Sequence, residues 1–159
     1  MTDLPFYEAA GNEIGLFEHA HRNRLPVLIK GVINPKDAQI LQQCGFDGLI
    51  ISNHGGRTLD GLPASIDMLP AIRQITGPDY PLLLDSGIRR GSDVFKALAL
   101  GANAVLIGRP QLHALCVAGA LGVAHMLRLL QDELAITMAL AGCPTLADIT
   151  PDHIIRPHC

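Results

Sequence analysis

The sequence predicts an α/β fold of four βα units, and three observations agree on it. Four short apolar runs are continuous rather than alternating, which is typical of buried parallel strands. Segments of helical spacing separate these runs, as expected of strands joined by right-handed helical crossovers. A complete (β/α)8 barrel takes roughly 250 residues, so four units in 159 residues amount to about half of one.

The four predicted strands share a pattern at their carboxyl ends. They are PVLIK, GLIIS, PLLLD and AVLIG, at residues 26–30, 48–52, 81–85 and 104–108. Each run ends on a polar residue or a glycine. Because ligands gather at the carboxyl ends of parallel strands, the residues after these runs are the first candidates for a functional site.

Helices are predicted between and after the strands from their end signals and apolar spacing. They cover residues 34–45, 65–75, 92–101 and 112–140. Asn34 is a suitable cap for the first helix, with Pro35 in its first turn. The last stretch is interrupted by Gly119 and Gly122, so we expect two helices there.

Composition and charge argue against several classes of protein. The net charge is −3 and aromatic residues make up 4% without tryptophan, so we expect no nucleic-acid partner. The four cysteines form no C-x-x-C pair, so we predict no metal site. No run of 18 or more apolar residues occurs, and the first residues lack a secretory pattern. We therefore expect a cytoplasmic protein without a transmembrane segment.

The segment SNHGGR at 52–57 places a base beside a guanidinium. Arg57 is suited to hold a carboxylate by two parallel hydrogen bonds. The carbon next to that carboxylate would then lie within reach of His54 as a proton acceptor. A second reading stays open, in which both side chains satisfy loop carbonyls and an acidic neighbour such as Asp60.

The third and fourth strand ends have the composition of an anion site. Gly87 and Arg89 follow one strand, and the pair Gly108 and Arg109 follows the next. Backbone amides and guanidinium groups bind phosphate, and barrels often place phosphate in the loops after their last two strands. The alternative is a surface ion-pair network between Asp85 and the arginines.

Lys30 ends an otherwise apolar strand. Burial disfavours the charged form of lysine, so its ammonium is expected to meet an anion or an electron-rich ligand. The alternative is a side chain that extends to solvent at the rim of the sheet.

Together these strand ends carry a family resemblance. The segments are IKGV at 29–32, SNHGGRTLDG at 52–61, DSGIRRGSDVFKALALGA at 85–102 and LIGRP at 106–110. They resemble the FMN-dependent 2-hydroxy-acid dehydrogenase and oxidase family, which includes glycolate oxidase, lactate oxidase and flavin-linked L-lactate dehydrogenase. The resemblance covers residues 25–150, leaving an unmatched stretch at 1–24 and a tail at 151–159. It implies the C-terminal half of a (β/α)8 TIM barrel.

The resemblance also implies roles for the residues around the base. Lys30 corresponds to a lysine beside the flavin N1 and C2 carbonyl, and Ser52 to a serine that contacts the flavin. His54 corresponds to the active-site base and Arg57 to the arginine that binds the substrate carboxylate. The implied reaction is oxidation of an L-2-hydroxy acid of the lactate or glycolate type to the 2-oxo acid. Oxygen or another acceptor then takes the electrons from the flavin.

The cofactor FMN is implied to lie on two further segments. Those residues match the ones that hold its ribityl chain and phosphate: Asp85, Ser86, Gly87, Ile88, Arg89, Gly108 and Arg109. Ser86 departs from the pattern, because many members have glycine there, and we expect FMN binding to tolerate a serine.

The first four strands of the family's barrel have no identifiable counterpart. A four-stranded half barrel leaves two sheet edges and an apolar inner face open to water, which favours association. We therefore expect a homo-oligomer or pairing with a missing N-terminal half. Two rival interpretations are a catalytically inert half barrel that acts only as an assembly partner, and a phosphate-binding barrel enzyme without flavin.

Overall fold

A computed structural model describes residues 25–155 as a four-stranded parallel sheet with helices between its strands. The strands are β1 (Leu28–Val32), β2 (Gly48–Ile51), β3 (Leu82–Leu84) and β4 (Ala104–Val105). The helices are α1 (Pro35–Gln43), α2 (Ser65–Thr76), α3 (Gly91–Ala99) and α4 (Arg109–Ala141). The predicted α/β fold and part-barrel architecture are confirmed. The predictions made for residues 1–24 and for the end of the tail lie outside the described residues.

The strands lie in chain order, β1-β2-β3-β4, and every pair is parallel. Sequential parallel strands with right-handed crossovers place their helices on the same face of the sheet. The carboxyl ends of the strands therefore meet at one edge, where the predicted site residues follow them.

The sheet is covered on one face only, although the continuous apolar runs predicted cover on both. Side chains directed to the covered face are fully buried, namely Leu49, Ile51, Leu82 and Leu84. Their neighbours in sequence, Ile50 and Leu83, are partly exposed. Because side chains alternate along a strand, these residues mark the opposite face, which is open within residues 25–155.

Local signals explain where α1 begins. The side chain of Asn34 accepts a hydrogen bond from the backbone N–H of Lys36 at 2.9 Å, and Pro35 is the first helical residue. This arrangement satisfies one of the free amides at the helix start, as predicted. The helix ends before Gly45, whose φ of 88° is disfavoured for residues with a Cβ.

Helix α4 is two helical segments joined by a break. Ala118 and Gly119 have non-helical backbone angles, and Gly119 has a φ of 58°. The predicted division into two helices is confirmed, whereas Gly122 lies within the helix. By length and composition alone α4 could cross a membrane. Its most apolar stretch has a mean hydropathy of 1.5 and is not buried in the described structure. One helix of this kind does not identify a membrane span.

The C-terminal segment packs against α3. A small core forms there from Phe95, Ala99, Cys143 and Ile149. The Cys143 Sγ lies 3.3 Å from His153 Nε2, and the His153 ring meets the Phe95 ring edge to face at 5.9 Å. These contacts hold the start of the tail against the sheet's helical layer.

Candidate active site

The loops that follow β2, β3 and β4 surround one cavity of about 190 Å³. Its lining includes most of the predicted site residues: His54, Arg57, Asp85, Ser86, Gly87, Ile88, Arg89, Gly108 and Arg109. Gly55, Leu106, Pro110 and Leu112 complete the wall. Lys30 and Ser52 lie outside this wall but contact residues within it.

The ammonium of Lys30 meets an anion, as its position in an apolar strand predicted. Its Nζ lies 2.5 Å from Asp85 Oδ2 and donates a hydrogen bond of 2.8 Å to Ser52 Oγ. The Lys30 side chain is 39% exposed, whereas that of Asp85 is 17% exposed. The ion pair therefore joins the ends of β1 and β3, with the buried Ser52 of the β2 end between them.

Asp85 stays ionised because of these contacts. Burial alone would raise the pKa of Asp85. Hydrogen bonds from Lys30, Ser52 and Ser86, together with the positive charge of Lys30, outweigh burial and hold the pKa below its ordinary value. A carboxylate that already has these partners balances the Lys30 charge at the edge of the cavity.

The loop that carries His54 is held in an unusual backbone conformation. His54 has a φ of 56°, a left-handed value that side chains with a Cβ rarely adopt. Its amide donates to Ser52 Oγ at 3.0 Å. The amide of Gly55 donates to Asn53 Oδ1 and to Ser86 Oγ, both at 3.0 Å. Two successive amides are thus fixed by side chains of the sheet edge.

The imidazole of His54 lies against Gly31. A Cβ placed on Gly31 would be 2.6 Å from His54 Nε2, so the ring occupies the space that a side chain would need. No hydrogen bond to the imidazole is formed by any residue between 25 and 155. His54 is exposed and lines the cavity.

The three arginines at the cavity differ in their contacts within residues 25–155. Arg57 and Arg89 are exposed and make no side-chain hydrogen bond or ion pair within the described part of the chain. Arg109 Nη2 donates to the carbonyl of Gly55 at 2.6 Å. The alternative of an ion-pair network is not seen, because the partner of Asp85 is Lys30. Nor does Arg57 pair with Asp60.

Sequence reasoning missed three contributors to this arrangement. Gly31 provides the surface on which the imidazole rests, and Asn53 accepts the amide of Gly55. Gly55 itself is bound at both its N–H and its carbonyl. The only signal available for them was that they stand beside Lys30 and His54 at the strand ends.

A family model described as FMN-dependent dehydrogenase matches residues 16–156. The chain belongs to the FMN-dependent dehydrogenase family. The match is wider at both ends than the unit predicted at 25–150. All the residues that surround the cavity lie within this match.

Curated members of the FMN-dependent dehydrogenase family are close in sequence. An L-lactate oxidase of Alicycliphilus denitrificans is 64% identical over 136 residues, which is 86% of this chain and 37% of that protein. A peroxisomal (S)-2-hydroxyacid oxidase of Arabidopsis thaliana is 52% identical over 130 residues, covering 82% of this chain and 36% of that protein. The chain thus spans little more than a third of these relatives.

Solved structures give the same result for the fold. A lactate oxidase of Pediococcus acidilactici superposes with a TM-score of 0.80 at 46% identity, over 83% of this chain and 37% of that one. A mandelate oxidase variant with a monooxide FMN adduct superposes with a TM-score of 0.75 at 46% identity, over 77% and 39%. The predicted family and its cofactor FMN are confirmed, whereas the roles of single residues stay predictions.

Proposed function

We propose that this chain supplies the FMN site and the active-site base of an FMN-dependent 2-hydroxy-acid oxidoreductase. The reaction is oxidation of an L-2-hydroxy acid, of the lactate or glycolate type, to the 2-oxo acid. The observation that carries the proposal is that His54 and Arg57 line the same cavity as Arg89 and Arg109. A base, a carboxylate-binding group and a phosphate-type cluster thus share one site.

The cavity fits the phosphate end of FMN in its donor chemistry. Two exposed guanidinium groups, those of Arg89 and Arg109, lie beside Gly87 and Gly108. A Cβ built on either glycine would meet nothing within 4 Å, so an anion has room to approach the backbone there. Gly108 also stands just before α4, where free amides and the helix dipole favour an anion.

The Lys30 ammonium provides a polar group for the other end of the cofactor, and the buried Ser52 hydroxyl supports it by accepting a hydrogen bond from Lys30. When bound, FMN accepts the two electrons that leave the substrate. The Lys30 ammonium is held by Asp85 and Ser52, so its charge is fixed before any ligand arrives. A cation held in this way would stabilise negative charge on the flavin ring with little reorganisation.

His54 and Arg57 act on the substrate. Arg57 binds the carboxylate of the hydroxy acid, because its guanidinium is exposed to the cavity and unpaired within residues 25–155. His54 removes a proton from the substrate, and the left-handed backbone directs its ring over Gly31 at the end of β1. A positioned base of this kind contributes about 10²- to 10⁴-fold to a rate.

A complete site needs more protein than residues 25–155 provide. The β1 and β4 edges pair on one side only among these residues, and the sheet face that carries Ile50 and Leu83 is open. Several apolar side chains of α4 are also exposed, Val117 by 86% and Leu121 by 80%. We infer that the chain associates with a second copy of itself or with an N-terminal half barrel. We also infer that it does so in the cytoplasm and without a membrane span.

A second candidate is a catalytically inert half barrel that serves as an assembly partner. The observation that favours it is the imidazole of His54, which has no orienting hydrogen bond within the described part of the chain. Loss of an orienting group costs on the order of 10⁴ in rate in hydrolytic triads. This candidate predicts little bound flavin and oligomers whose size depends on concentration.

The two candidates are separated by flavin retention followed by turnover. The purified chain is mixed with FMN, passed through gel filtration and examined for the visible bands of oxidised flavin. Retained flavin, reduced by L-lactate or glycolate in the wild type but not in His54→Ala, is the expected result. Arg57→Ala is expected to weaken substrate saturation more than flavin retention. A folded chain that loses all flavin overturns the proposal that this chain supplies the FMN site by itself, and it favours the inert half barrel.

A further inference from the structure

Two loops of the site are strained, and they are bonded to each other. Among residues 25–155, His54 and Ser86 are the non-glycine residues with positive φ, at 56° and 72°. The Ser86 hydroxyl accepts a hydrogen bond from the amide of Gly55 at 3.0 Å. Gly55 directly follows His54, so the strained residue after β3 contacts the strained loop after β2.

The hydroxyl of Ser86 has a defined direction. It donates to Asp85 Oδ1 at 2.8 Å, which leaves its lone pairs free to accept the Gly55 amide. The other oxygen of Asp85 meets Lys30, whose ammonium also donates to Ser52 Oγ. The carboxylate therefore polarises the Ser86 hydroxyl and strengthens it as an acceptor.

The backbone amides of His54 and Gly55 both donate hydrogen bonds to the same polar network. The amide of His54 donates to Ser52 Oγ, and the amide of Gly55 donates to Ser86 Oγ. Each of these hydroxyl groups is bonded in turn to one member of the Lys30 and Asp85 pair. The backbone that sets the direction of the imidazole is thus tied to the ion pair from two sides.

The backbone strain at Ser86 indicates a role for its hydroxyl. A serine at φ 72° carries the steric penalty of a Cβ in the left-handed region, which glycine avoids. The part of serine that glycine lacks and that makes contacts here is the hydroxyl. A strained residue persists where its surroundings hold it, and such residues cluster at functional sites.

We propose that Ser86 is a positioning residue for His54. Through the Gly55 amide it holds the 54–55 peptide in the left-handed conformation that places the imidazole against Gly31. Since no described residue hydrogen-bonds the imidazole, backbone restraint is the means by which residues 25–155 orient it. The inference rests on the proposed role of His54 as the base and assigns Ser86 a role separate from cofactor contact.

The test compares two substitutions that differ in backbone strain. Ser86→Gly removes the hydroxyl and the steric cost of a Cβ at positive φ, whereas Ser86→Ala removes the hydroxyl and keeps that cost. Ser92→Ala is the control, because the Ser92 hydroxyl makes no hydrogen bond among the described residues. Amide hydrogen exchange at Gly55, the ring resonances of His54 and thermal stability are measured on the whole chain without FMN.

Both variants are expected to raise the exchange rate of the Gly55 amide by roughly threefold to tenfold. The increase is partial because Asn53 Oδ1 still accepts this amide. The His54 ring signals are expected to broaden or split in both variants, while Ser86→Gly melts no lower than the wild type. Unchanged His54 signals in both variants would overturn the proposal. So would a change seen in Ser86→Ala alone, which would assign the effect to strain.

Turnover adds a second readout where the chain is active. Both variants are then expected to lower kcat by about tenfold while KM and the Kd for FMN change less than about twofold. A rise in the Kd for FMN with kcat unchanged would place Ser86 in cofactor binding and overturn the proposal. The exchange and ring measurements need no flavin, so they decide the role of Ser86 even if the chain fails to retain FMN.

Discussion

The guanidinium of Arg109 donates a 2.6 Å hydrogen bond from Nη2 to the carbonyl oxygen of Gly55. This bond joins the first residue of α4 to the loop that carries His54, across 54 positions of sequence. A phosphate bound at the start of α4 would share or replace that carbonyl as the partner of Arg109. If Arg109 binds the cofactor phosphate and His54 is the base, as proposed, cofactor binding and the position of the base would be connected through this one side chain.

Arg109→Ala is expected to weaken FMN binding by about ten- to a hundredfold, because a hydrogen bond to a charged group contributes about 1.5–3 kcal/mol. The measurement is a titration of FMN fluorescence with protein. Arg128→Ala is the matched control, since Arg128 lies on the same helix, is exposed and pairs with Asp132 away from the cavity. Equal Kd values for the two variants would argue against Arg109 as a phosphate ligand.

Gly31→Ala is expected to displace the His54 ring. The new Cβ would lie 2.6 Å from Nε2, closer than nonbonded atoms approach. The φ of 98° at Gly31 adds backbone strain of about 1 kcal/mol or more.

Gly45→Ala separates the two effects, because Gly45 has a φ of 88° and open space at the Cβ position. Both variants are expected to lose stability in urea. Gly31→Ala alone should move the His54 ring resonances and lower turnover. Similar ring spectra for the two variants would show that the contact with Gly31 does not set the imidazole position.

Acid is expected to destabilise the chain partly through Asp85. Burial raises the pKa of this carboxyl, but hydrogen bonds from Lys30 and the serines lower it further, so the folded-state pKa lies below the ordinary 3.8. A depressed pKa contributes stability that is full above the unfolded value and is lost as pH falls through the folded one. Stability should therefore decline below about pH 4.

Asp85→Asn isolates this contribution. The variant is expected to be less stable than the wild type at neutral pH, with a smaller decline on acidification. Urea midpoints measured between neutral pH and about pH 3 provide the comparison. Asp148 is a second carboxyl with a lowered pKa, through hydrogen bonds from Thr145, so Asp148→Asn measures the share of the acid decline that arises away from the ion pair. Parallel pH curves for wild type and Asp85→Asn would contradict the role of the ion pair.

Local signals in the sequence predicted the elements well. Asn34 and Pro35 start α1 where their chemistry indicates, because a helix cap depends on neighbouring residues alone. The sequence predicts that β1 ends at Lys30, the polar residue that closes the apolar run. In the structure Gly31 is the site of a register shift, and the strand continues to Val32 opposite Ile51. A bulge is fixed by the partner strand, which the sequence of β1 does not contain.

The longer-range features of the site were beyond local reasoning. The strand predicted to run to Gly108 ends at Val105, where its register with Leu84 of β3 ends. The residues around the cavity were predicted because they follow strand ends. Their partners were not, since the bond of Lys30 to Asp85 and that of Ser86 to Gly55 arise only when separate loops meet.

Arg73 is expected to be a stability residue at the opposite end of the sheet. Its guanidinium donates to carbonyl oxygens of Gly77, Pro78, Tyr80 and Gly101 and to Asn103 Oδ1. These acceptors lie in the segments that precede β3 and β4, so one side chain joins the starts of both strands. In barrels, residues at this end contribute to stability rather than to catalysis.

Arg73→Lys is therefore expected to lower the free energy of unfolding by about 2–4 kcal/mol, because one ammonium cannot serve five acceptors in this fork. Urea unfolding measures the loss, and FMN retention at low denaturant measures the site. Arg128→Lys, on the exposed face of α4, should leave the urea midpoint unchanged. An Arg73→Lys chain of normal stability that fails to retain FMN would reverse the assignment and connect this end of the sheet to the cavity.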